Sequence, residues 1–92
     1  MTEIQEKIIK TLKETTENQA FGSYFDSCGA YCANGIIGVK VLGLDLVDDE
    51  CDIWAKKLDE VLGDYRTEIV KWNDGLKLTF SQIAAKLEDL WK

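Results

Sequence analysis

The sequence predicts an α+β domain, a small, mainly antiparallel sheet with a C-terminal hairpin packed against three to four helices, with a mostly helical chain as the alternative. Three observations predict it. Two Thr-x-x-Gln capping boxes, Thr2 with Gln5 and Thr79 with Gln82, each open an apolar stripe of helical period. The run 36–46 is β-branched at its start and interrupted by Gly38 and Gly43, which disfavours helix. Two β-prone runs, 65–72 and 76–80, flank Asn73-Asp74-Gly75, a turn whose glycine accepts positive φ.

In chain order, the first helix covers residues 2–16, with Ile4, Ile8, Ile9 and Leu12 as its core stripe and a mixed-charge outer face. The small and aromatic residues of 20–35 suit a close-packed buried helix as well as a loop; a helix over 23–33 is favoured, ended by Asn34-Gly35 in the left-handed conformation, with Tyr24, Cys28 and Tyr31/Cys32 on one face. A central strand over 36–46 follows. Asp48 then caps a helix to Leu62, its stripe Ile53, Trp54, Leu58, Val61 and Leu62 and its stop Gly63. In the hairpin, Leu76, Leu78 and Phe80 alternate with Lys77 and Thr79, so one strand face is buried. The last helix, capped by the Thr79 box or by Ser81, turns Ile83, Leu87, Leu90 and Trp91 inward. There is no internal repeat or low-complexity segment.

A chain of 92 residues makes one domain, because its core is too small to divide. No apolar run reaches the roughly 18–20 residues of a membrane span, and Glu3 and Glu6 stand where a signal peptide is basic. The odd cysteine set, Cys28, Cys32 and Cys51, fits reduced thiols in the cytoplasm better than a bridged secreted domain. A net charge of −6 disfavours direct contact with nucleic acid or an anionic membrane and suits a basic protein partner.

The absence of histidine removes the commonest general base and the familiar nucleophile pairs, so the chain is expected not to be an enzyme. Cys28 and Cys32, four apart, miss the spacing of zinc and thioredoxin-like pairs and read as core fillers. The acids from Asp45 to Asp52 lack the register and central glycine of a calcium loop. No metal or cofactor is expected. Gly35-Ile36-Ile37-Gly38 is spaced like the backbone clamp of a KH domain but lacks its basic surroundings, so packing is the better reading. The segment 78–87 is similar to the opening helix of a helix-turn-helix, with no recognition helix after it.

Eight of the twenty residues from 45 to 64 are acidic: Asp45, Asp48, Asp49, Glu50, Asp52, Asp59, Glu60 and Asp64. Those at the start of the helix complement its dipole and need no partner to explain them. Asp59, Glu60 and Asp64 stand at the carbonyl end, where acids are unfavourable, so a partner-binding acidic face of Asp45, Asp48, Asp49, Asp52, Asp59, Glu60 and Asp64 is expected. Carboxylates three or four apart on a helix lie about 5–6 Å from each other, broadly the interval of phosphates along DNA. A two-fold homodimer would extend the line.

In size, acidity and lack of catalytic residues the chain resembles the small acidic DNA-mimic proteins with which phages block host restriction, and 25–35 resembles a segment of small anti-CRISPR proteins. The resemblance implies an inhibitor that occupies a DNA-binding surface of a protein. The alternative is a small dimeric subunit or adaptor, associating through its aromatics and a glycine-rich seam at 36–44.

Overall fold

The computed structural model describes residues 1–22, 24, 29–44 and 51–91, and at residues 51 and 52 the helical backbone alone. Among them there is no strand; the protein is helical, and the expected sheet is replaced by helix. Helix α1 (Glu3–Glu14) has the predicted capping box, with Gln5 N–H donating to Thr2 Oγ1 at 3.2 Å and Thr2 N–H donating to Gln5 Oε1 at 2.9 Å. Ile8, Ile9 and Leu12 are buried as the spacing requires, while Ile4 is exposed. Helix α2 (Ala33–Ile36) runs directly into a five-residue π-helical turn, Ile37–Val41. Helix α3 (Cys51–Leu62) stops at Gly63, whose φ of 57° is the expected left-handed ending; Ile53, assigned to its core stripe, is exposed. Helix α4 (Tyr65–Val70) runs into a second π turn, Lys71–Gly75. Helix α5 (Phe80–Leu90) opens with the other capping box and buries Ile83 and Leu87; Trp91 is buried just beyond it, and Leu90 faces out.

The predicted helix over 23–33 is not found where it can be tested. Residues 29–32 are not helical, and Tyr31 forms an isolated parallel bridge with Gln19, with Ala20 N–H donating to Tyr31 O at 2.8 Å. Residues 23 and 25–28, Cys28 included, lie outside the described residues, as does Asp48 with its predicted cap. Asn34 and Gly35 do not end a helix; they form the first turn of α2. Cys32 caps that turn, its Sγ accepting from Gly35 N–H at 3.3 Å.

The predicted central strand over 36–46 is helix as far as Val41, and its glycines explain why. A Cβ at Gly38 would lie 2.4 Å from the Trp54 ring, and one at Gly35 would lie 1.8 Å from the carbonyl oxygen of Tyr24. These glycines admit neighbours to the helix. Burial of Ile36 and Ile37, both at 0% exposure, then outweighs their modest strand preference.

The predicted hairpin also fails. Residues 65–75 form one continuous helical run, and Gly75 has no positive φ. Tyr65, Ile69 and Asn73 make an inward stripe of helical spacing, its third member polar and therefore invisible to hydrophobic periodicity. Leu76, which a strand would bury with Leu78 and Phe80, is 64% exposed.

Both π turns close alike. Leu42 N–H donates to Ile37 O at 3.1 Å and Leu44 N–H to Gly38 O at 2.9 Å; Leu76 N–H donates to Lys71 O at 3.0 Å and Leu78 N–H to Trp72 O at 2.9 Å. The reversing residue has positive φ in both, Gly43 at 70° and Lys77 at 54°. These are enlarged versions of the ordinary helix ending in which a left-handed residue lets the next N–H turn back to a free carbonyl.

The core gathers Ile8, Leu12, Ile36, Ile37, Trp54, Leu58, Ile69, Ile83 and Leu87, with α1 packed on α5 and on the first π turn. Tyr24 stacks on Trp54 at 5.2 Å and Tyr65 meets Trp91 edge-on at 5.7 Å. Asn73, 1% exposed, joins three segments. Its Oδ1 accepts from Gln19 Nε2 at 2.7 Å and from Ala33 N–H at 3.2 Å, and its Nδ2 donates to Ala20 O at 2.9 Å.

Candidate functional site

Helix α3 is amphipathic. Trp54, Leu58 and Leu62 face the core, and Ile53, Lys56, Lys57, Asp59 and Glu60 face out. The helix ends at Gly63, so Asp59 and Glu60 stand in its last turn beside the free carbonyls, and Asp64 follows the stop. Lys56 and Lys57 lie about one turn upstream and interrupt any longer line of negative charge.

Asp59 has an internal reason to be there. Arg66, the only arginine of the chain, places Nε 2.5 Å from Asp59 Oδ1 across the Gly63 turn. That hydrogen bond raises the guanidinium above its ordinary value, burial works against it, and the Asp59 charge and Tyr24 add smaller upward contributions. Arg66 O also accepts from Asn34 Nδ2 at 3.1 Å, which ties the corner to α2. Sequence reasoning missed Arg66 because the pair spans seven residues with a helix stop between them. A lone arginine just beyond the glycine after an acidic helix end was the available signal.

Glu60 and Asp64 are different. Both are exposed, and neither makes an ion pair among the described residues. Asp64 occupies the N-cap position of α4, yet its side chain makes no capping bond. Asp45, Asp48, Asp49 and Glu50 lie outside the described residues, as does the side chain of Asp52. Of the predicted acidic face, the described side chains are those of Asp59, Glu60 and Asp64.

Cys32 is buried, and its desolvation pushes the thiol up to about 11, with hydrogen bonds from Gly35 and Asn34 N–H acting in the opposite direction. The thiol is neutral near pH 7 and poorly nucleophilic. Among the described residues no group of three or more His, Cys, Asp and Glu gathers in metal-binding proximity. No helix among them is long and apolar enough to cross a membrane. Two open depressions, of about 410 and 450 Å³, lie beside α1; one is edged by the Lys13–Glu88 ion pair at 2.9 Å and the other by Thr11, Thr15 and Lys40. The glycine-rich segment 36–44, read as a dimer seam in the adaptor alternative, is buried at 36–38, half-buried at Val39, Val41, Leu42 and Leu44 and exposed at Lys40 and Gly43, and Trp54 and Trp91 are core residues.

No protein-family model, curated protein or solved structure matches the chain.

Proposed function

We propose that this is a non-enzymatic binding protein that presents the acidic end of α3 to a basic surface of a partner protein. The observation that carries the reading is the contrast among its three carboxylates. Asp59 is neutralised by Arg66, whereas Glu60, in the last turn of α3, and Asp64, just beyond the Gly63 stop, are exposed and make no ion pair among the described residues. Glu60 costs the isolated chain a few tenths of a kcal/mol in the last turn of α3, and a cationic partner would turn that cost into attraction.

In its sharpest form the partner surface is one that accepts DNA, with carboxylates taking the place of phosphates, and the protein acts as an inhibitor. The odd number of thiols suits a reducing, cytoplasmic setting.

The test is charge reversal without disturbing the Asp59–Arg66 pair. A Glu60→Lys/Asp64→Lys variant should keep its helical circular dichroism and urea midpoint. A partner captured by the wild-type chain, and displaced by duplex DNA, should be lost by this variant and should bind the wild type less as salt rises. Partner binding that is indifferent both to salt and to the double reversal would refute the proposal.

A further inference from the structure

The two π-ended helices differ at the residue that reverses the chain. Gly43 occupies the left-handed conformation at one, and Lys77 occupies it at the other. Glycine adopts that backbone without steric conflict and lysine does not. A lysine held there invites an explanation in its side chain.

That side chain reaches outward to an aromatic ring. Lys77 Nζ lies 4.4 Å from the ring centre of Phe21, which is itself 47% exposed, and Leu76 beside it is 64% exposed. One helical turn before Leu76, Trp72 is half-buried, with Lys86 Nζ of α5 at 5.6 Å from its ring centre. The corner is tied in place from beneath, since Gln19 Nε2 donates both to Asn73 Oδ1 and to Leu78 O at 2.6 Å. Of the nearby acids, Asp74 Oδ1 accepts from Asn73 Nδ2 at 2.7 Å, and Glu68 pairs with Lys71 at 3.6 Å. Among the described residues Lys77 and Lys86 have no carboxylate partner.

We propose that Phe21, Trp72, Leu76, Lys77 and Lys86 form a docking surface for an acidic peptide segment that carries an apolar side chain. The apolar group covers Leu76 and the open part of Phe21, and the carboxylates meet the two ammonium groups. Charge complementarity commits the surface to that occupant. An unpaired nucleic-acid strand fits less well, because the Lys77 ammonium already covers one face of Phe21, where a base would stack, and a net charge of −6 opposes a long polyanion. A short acidic segment brings few charges and needs only local complementarity. This surface is opposite in sign to the α3 end, and it stands or falls independently of the function proposed above.

The experiment is selection of a displayed random-peptide library on the immobilised full chain, followed by binding of the synthetic winning peptide. Sequences mixing Asp or Glu with Leu or Phe should be enriched. Their affinity should fall roughly tenfold or more in Lys77→Gly, Lys77→Glu and Leu76→Ser. Binding should be unchanged in Glu60→Lys/Asp64→Lys, which separates this surface from the acidic one. Lys77→Gly relieves backbone strain, so loss of binding with folding intact cannot be ascribed to a damaged protein. The proposal is overturned by enrichment of basic or uncharged peptides, by no enrichment, or by acidic winners that bind all three variants normally. It is overturned equally if an oligo-dT strand, vesicles of equimolar phosphatidylserine and phosphatidylcholine, or a second copy of the chain occupies the surface in preference to the peptide.

Discussion

Residues 33–44 and 65–78 solve the same backbone problem with different chemistry. Each is a short α-helix that widens into a π turn and exits through matching backbone bonds. The first is built on absence of side chain: Gly35 admits the Tyr24 carbonyl, Gly38 admits the Trp54 ring and Gly43 makes the reversal. The second is built on a polar side chain, with Asn73 buried at the centre of a hydrogen-bonded junction and Lys77 making the reversal under strain. A π turn offsets its poorer backbone geometry through tertiary contacts, and close packing and buried hydrogen bonding are two ways to supply them.

The largest expected effects separate the glycines. Gly35→Ala should lower stability by about 3 kcal/mol or more, since the obstacle to its Cβ is backbone rather than a side chain that can move. Gly75→Ala, in the second π turn and facing nothing within 4 Å, should raise stability by about 0.4–1 kcal/mol. Urea unfolding of both variants decides the matter, and equal losses would erase the claim that only the first helix depends on close approach.

Asn73→Ala should cost about 3 kcal/mol, because it strands the Ala33 N–H and the Ala20 carbonyl and takes one of the two bonds of the Gln19 amide. Asn34→Ala should cost about 1 kcal/mol. Asn34 gives up one bond to Arg66 O, and its Oδ1 is already buried without a partner. Should the two substitutions prove equivalent in chemical denaturation, Asn73 is not the junction that the geometry makes it.

Cys32 distinguishes the two helix starts, since its Sγ caps α2 while Asp64 makes no side-chain cap for α4. Its folded thiol titrates at about 11, above the 9.0 of an ordinary one. The folded state thus favours the protonated form, and this contribution is complete below about pH 9 and is lost as pH rises through about 11. The stability advantage of the wild type over Cys32→Ser should shrink by on the order of 2–3 kcal/mol between about pH 8 and pH 11.5. A constant difference across that range would place the thiol in solvent.

The smallest effects concern the reversing residues. Lys77→Gly should gain about 0.5–1 kcal/mol, the relief of a left-handed lysine less the lost contact with Phe21, and Gly43→Ala should lose about 1 kcal/mol. Melting temperatures of the two variants should move in opposite directions. A destabilised Lys77→Gly would mean that the Phe21 contact, rather than backbone strain, dominates at that position.

For the acidic site, composition made the charge of 45–64 legible but not its internal compensation. Asp59 is satisfied by Arg66 across a helix stop, a relation that no helical spacing rule encodes, while Glu60 and Asp64 look the same in sequence and are left exposed. The cationic corner of Lys77 and Phe21 was hidden for a similar reason. Its members come from distant parts of the chain, and Leu76-Lys77-Leu78 alternates as a strand would.

The sequence by itself determined α1, α5 and the end of α3. Their capping boxes, their three- and four-residue apolar spacing and the left-handed Gly63 are local signals, complete within a few residues. Only the tertiary structure decided 33–44 and 65–78. There the local signals, β-branched residues, glycines and an Asn-Asp-Gly triplet, pointed to strand and turn. Burial of Ile36, Ile37 and Ile69, together with the fit of Gly38 to Trp54 and of Asn73 to Gln19, Ala20 and Ala33, made helix the lower free energy. Propensity differences of a few tenths of a kcal/mol per residue yield to such contacts, which are worth about 1–3 kcal/mol each.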